Sequence, residues 1–65
     1  MTEEQRNMAA WTLREVAGTL HVTHLQAMRL VEYYPDSEWI KAYAAKRKVE
    51  AEAHEAAALF LEAQP

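Results

Sequence analysis

Two histidines three residues apart, His21 and His24, and a carboxylate one helical turn before a third histidine, Glu50 and His54, are the groupings whose types and spacing suggest metal chemistry. Side chains at i and i+3 or i+4 meet on one helix face, and imidazole and carboxylate are ordinary ligands of first-row metals. Neither pair completes a site. The chain has no cysteine, no third ligand stands near either pair, and His21 falls in a predicted turn, which takes it off the face of His24. All three histidines are therefore read as surface or partly buried side chains, with no metal and no cofactor. Ser37 is the only serine, it has no base and orienter beside it, and its best role is to cap a helix. No catalytic residue is expected, and the chain is not expected to be an enzyme.

Charge offers a second kind of chemistry. Lys41, Lys46, Arg47 and Lys48 stand together with no acidic residue between Trp39 and Val49, and Glu50, Glu52, Glu55 and Glu62 then reverse the sign. A basic stretch beside an acidic one can rest on phosphates and hold its acidic end away from them. It can equally be a solvated helix with Lys46 to Glu50 and Lys48 to Glu52 pairs at i, i+4. The net charge of −3 speaks against a broad nucleic-acid or acidic-membrane surface while leaving room for a local basic patch. No apolar run approaches the ~20 residues that span a bilayer, and the opening MTEEQRN lacks the apolar core of a secretory signal. A soluble, cytoplasmic protein with no membrane contact is the expectation. The aromatic residues Trp11, Tyr33, Tyr34, Trp39, Tyr43 and Phe60 could stack on bases, but Trp39 and Tyr43 lie one turn apart and read as core.

These groups need elements to position them. With one Gly and two Pro in 65 residues, turn chemistry for a sheet is absent and the chain reads as all-α. Thr2 with Gln5 makes a capping box for a helix over about 3–10, with Met8, Ala9 and Trp11 on its buried side. Thr12 with Glu15, flanked by Trp11 and Val16 at the staple positions, opens a second helix whose stripe is Leu13, Val16, Ala17 and Leu20. Thr23 with Gln26 opens a third, carrying Leu25, Ala27, Met28, Leu30 and Val31, and Pro35 ends it near Tyr34. Asp36 or Ser37 then caps a helix that runs unbroken to about Ala63. Its 27 residues span roughly 40 Å, against a diameter near 28 Å for a compact chain of this length. The positions Trp39, Ala42, Lys46, Val49, Ala53, Ala56, Phe60 and Ala63 step by three and four along it. Trp39 and Ala42 are expected to pack on the earlier helices, and Val49, Ala53, Ala56 and Phe60 on a second chain, because the body has too little surface to cover them.

The second and third helices, with Ala17 at the crossing point, Leu20 and Val22 leading into the turn, and Thr23, Ala27 and Leu30 beyond it, resemble the helix-turn-helix of bacterial and phage DNA-binding regulators. The resemblance covers about 20 residues within 12–34 and departs at His21, where the family usually has a Gly free to take a positive φ. It implies a helix-turn-helix domain over residues 1–36, while the length and spacing of the C-terminal helix over 37–65 lead to the expectation that it packs on that domain and makes a homodimer. It also implies a recognition helix in the major groove of duplex DNA. Arg29 would then read guanine, with Thr23 and His24 beside the groove and Lys41, Arg47 and Lys48 on phosphates. Leu25 and Met28 on that same outward surface suit a protein groove better than DNA, and Glu32 repels phosphates. The alternative is thus a small helical protein-interaction module, an inhibitor or adaptor, that binds through Leu25, Met28, Val49, Ala53, Ala56 and Phe60.

Overall fold

The first helix starts where the sequence predicts. In a computed structural model, which describes residues 1–65, the Thr2 hydroxyl accepts from the Gln5 backbone N–H at 3.1 Å, and the Gln5 side chain accepts from the Thr2 N–H at 2.9 Å. This reciprocal cap opens α1, Glu3–Tyr33. Pro35 and a short turn stop it, and Ser37 caps α2, Glu38–Glu62, by accepting from Ile40 N–H at 3.3 Å. Two helices and no strand make up the structure, so the all-α expectation holds.

The three short helices do not appear as such. α1 runs through both predicted breaks as one element of 31 residues, and no residue takes a positive φ, so His21 forms no turn. The threonines read as helix starts have other work. Thr12 donates its hydroxyl hydrogen to the Met8 carbonyl at 3.0 Å and Thr23 to the Thr19 carbonyl at 3.0 Å, the back-bonding that mid-helix threonines adopt. A capping box needs extended backbone at its first residue, and nothing between Glu3 and Tyr33 forces the chain out of helix. The segment that carries the helix-turn-helix resemblance is thus part of one continuous helix, and residues 1–36 and 37–65 are the two arms of one hairpin.

The arms are antiparallel. Arg14 pairs with Glu62, His21 with Glu55, and the His24 ring donates from Nδ1 to the Ala44 carbonyl at 2.8 Å, so partner numbers fall as α1 numbers rise. Between them run two matching seams in steps of three and four. On α1 they are Arg6, Ala10, Leu13, Ala17, Leu20, His24, Ala27 and Val31. On α2 they are Ile40, Ala44, Arg47, Ala51, His54, Ala58 and Leu61, all buried or half-buried. Small and large residues alternate along α2, and along α1 except at the successive Leu20 and His24. The six fully buried residues are all alanine: Ala10, Ala17, Ala27, Ala44, Ala51 and Ala58. Methyl side chains let two backbones come close, and the larger seam residues are then pressed to the edges, so no large side chain is fully buried.

This seam corrects the expected core. Trp39 is 74% exposed and Ala42 is also outside, so neither packs on α1; Met8 and Trp11 are exposed as well. α2 offers several lines with the same spacing, and the alanine line won because close approach needs small side chains. The hairpin measures 48 × 13 × 12 Å with a radius of gyration of 14.9 Å, well above the roughly 11 Å of a compact chain this long.

Candidate interaction surface

Wrapping a hairpin around an alanine seam gives it two broad sides. A helix turns about 100° per residue, so each seam has two edges, and the contacts across the seam identify them. The Arg14–Glu62 and His21–Glu55 pairs close one edge. Lys48 and Glu32 flank these pairs, and we call this the polar side. Leu25, Met28 and Leu59 are exposed toward it.

Across the seam, α1 presents Gln5, Ala9, Thr12, Val16, Thr19 and Thr23, again in steps of three and four, followed by Leu30. None of these is charged. The hydroxyls of Thr12, Thr19 and Thr23 donate to the carbonyls of Met8, Glu15 and Thr19 at 3.0, 3.2 and 3.0 Å, so each donor is satisfied within its own helix. α2 supplies Trp39, Tyr43, Lys46, Glu50, Ala53 and Ala57 to the same side, with Phe60 at its margin. Side chains interlock along this arm. Trp39 stacks on Tyr43 with centroids 5.7 Å apart and planes 16° from parallel. The Arg47 guanidinium lies 4.9 Å from the centre of the Tyr43 ring and donates from Nη2 to Glu50 at 2.7 Å. Its Nε is buried and has no partner. Cation–π contact and an ion pair together hold the guanidinium against the helix.

The residues expected to contact DNA are not brought together. His24 lies in the seam with its ring on the Ala44 carbonyl, Thr23 lies at the edge of the uncharged side, and Arg29 lies on the outer surface of α1, roughly half a turn from the seam. They occupy three faces because they sit on one continuous helix, which no turn reorients. Lys41 is 3.5 Å from Glu38, Arg47 is engaged by Glu50 and Tyr43, and Lys48 projects toward the polar side. The i, i+4 pairs expected from Lys46 and Lys48 are replaced by i, i+3 pairs, Lys41 with Glu38 and Arg47 with Glu50. Among the residues expected to bind protein, Leu25, Met28, Val49 and Phe60 are 62%, 44%, 66% and 67% exposed, and Ala53 and Ala56 are exposed beside the last two.

Sequence reasoning missed the uncharged line on α1, because its three threonines read as polar and two of them as caps. The signal that finds it is the absence of charge at every third and fourth position from Gln5 to Leu30. No cluster of His, Asp or Glu is placed to hold a metal ion, and no helix is long and apolar enough to cross a membrane. Neither a protein-family model, nor a curated protein, nor a solved structure matches this chain.

Proposed function

We propose that this chain is a small protein-interaction module, an adaptor or inhibitor, that offers a preformed helical hairpin to protein partners. The observation that carries the reading is the make-up of the core: every fully buried residue is alanine, while Trp11, Leu25, Trp39, Val49 and Phe60 are each more than half exposed. An isolated chain gains little by leaving such side chains in water, whereas helical anchors of this kind fill grooves between protein helices. Leu25 and Met28 anchor from α1, and Val49, Ala53, Ala56 and Phe60 from α2. A hairpin already formed loses little conformational entropy on binding.

Duplex DNA is the competing partner, and Arg29, Thr23 and His24 on separate faces make a poor reading surface for it. The experiment is a mobility shift on mixed duplex DNA across a salt series. The expected result is no shift at low salt. Binding that weakens steeply as salt rises would overturn the protein-interaction reading, because that slope is the mark of phosphate neutralisation.

A further inference from the structure

We infer that the first partner is a second copy of this chain, seated on the uncharged side, so that two hairpins stack into a four-helix bundle. This rests on the protein-interaction reading and assigns an occupant to the uncharged side alone, so that Leu25 and Met28 on the polar side stay free for a different partner.

Area supports the pairing. The chain exposes 4980 Å², whereas a compact monomer of 7.5 kDa exposes about 4,250 Å². The excess, about 700 Å², is close to the ~800 Å² that each partner contributes to a standard interface. The excess belongs to the whole 48 Å rod rather than to one side, and it is surface that a second copy can cover.

Chemistry selects the side. Dehydrating Ala9, Thr12, Val16, Thr19 and Thr23 strands no donor, since the threonine hydroxyls already bond to their own helix. Small side chains there also permit close helix approach, as in the seam within each hairpin. On the α2 arm the charges are Lys46, Glu50 and the Arg47 guanidinium, which lies over the Tyr43 ring and is paired with Glu50 at 2.7 Å. A twofold contact with antiparallel helices can set the Lys46 of one copy beside the Glu50 of the other, whereas a net charge of only +1 along this line gives a uniformly charged polymer or membrane little to neutralise. The polar side is unsuited to the same contact, because its Arg14–Glu62 and His21–Glu55 pairs would have to leave water.

Sedimentation equilibrium of the full chain over a wide concentration range tests the pairing. The expected mass is twice 7.5 kDa. Ala53→Asp, on the uncharged side, should halve that mass with helical circular dichroism unchanged, while Leu59→Asp, on the polar side, should leave it doubled. A second readout does not depend on a charged variant folding. The chain has no cysteine, so the thiol of a Thr19→Cys variant reports its own environment. Its alkylation should slow as concentration rises, and that of a Lys48→Cys variant should not. A wild type that stays monomeric throughout, or a dimer dissociated by Leu59→Asp but not by Ala53→Asp, overturns the inference. A monomer that also ignores DNA leaves the protein-interaction reading standing, whereas salt-sensitive DNA binding removes that reading whatever the mass.

Discussion

The polar and uncharged sides are built from the same two helices around the same seam, and they differ in what water does for them. On the polar side Arg14 pairs with Glu62 and His21 with Glu55 across the helices, with side chains between 37% and 50% exposed, so solvent screens these contacts and they add little stability. On the uncharged side of α1 there is no ion to solvate, and the hydroxyls are turned to their own carbonyls. The lesson is that threonine in mid-helix can behave as an apolar surface residue once its hydrogen is spent on the backbone.

Substitutions break or sharpen this contrast in a graded way. The largest effect belongs to the seam that holds both sides in place. Ala51 is completely buried, and Ala51→Leu should lower stability by about 3 kcal/mol, since extra methylenes force the backbones apart; urea denaturation followed by circular dichroism measures it. A loss under ~1 kcal/mol would mean the helices are not in close contact.

Next comes the contrast between a real cap and an apparent one. Thr2→Ala should cost about 1 kcal/mol, because Thr2 terminates α1 in a reciprocal box. Thr12→Ala, on the uncharged side, should leave stability unchanged or raise it by a few tenths of a kcal/mol, as alanine is the better helix former. If Thr12→Ala proved as costly as Thr2→Ala, a helix start at Thr12 would return.

Gly18 stands at the margin of the polar side, and a Cβ built there meets nothing within 4 Å. Gly18→Ala should therefore stabilise the hairpin by roughly 0.5–1 kcal/mol, read as a higher denaturation midpoint; a lower midpoint would show that the side chain meets an obstacle. Smallest is Arg14→Ala, expected to cost no more than ~0.5 kcal/mol at moderate salt, with the difference from wild type shrinking as salt is added. A cost that persisted at high salt would show that the ion pair, and with it the polar side, is less open to water than its exposure indicates.

Several features were legible in the sequence for local reasons. The Thr2–Gln5 box, the stop imposed by Pro35, the Ser37 cap and the unbroken helix behind it each depend on residues within one turn of one another. The candidate surface was less legible: Leu25 and Met28 were read as outward-facing and Val49 and Phe60 as facing a second chain, and all four are exposed, but spacing along one helix did not show on which sides of a hairpin they fall. The break at 21–23 was misread because Thr23 and Gln26 satisfy a cap pattern that becomes a cap only if the chain leaves helix before Thr23. Trp39 was misplaced because periodicity shows that a line exists without showing which line faces the neighbour.

The sequence by itself determined that the chain is helical, where α1 begins, where it turns and where α2 is capped, because propensity, proline and capping act over a few residues. Only the tertiary structure decided that residues 3–33 stay in one piece, that alanine and not tryptophan lies between the arms, and that the uncharged line of α1 shares a side with the aromatic residues Trp39 and Tyr43 of α2. Those outcomes depend on the phase of one helix against another, and phase is set by which packing brings two backbones closest.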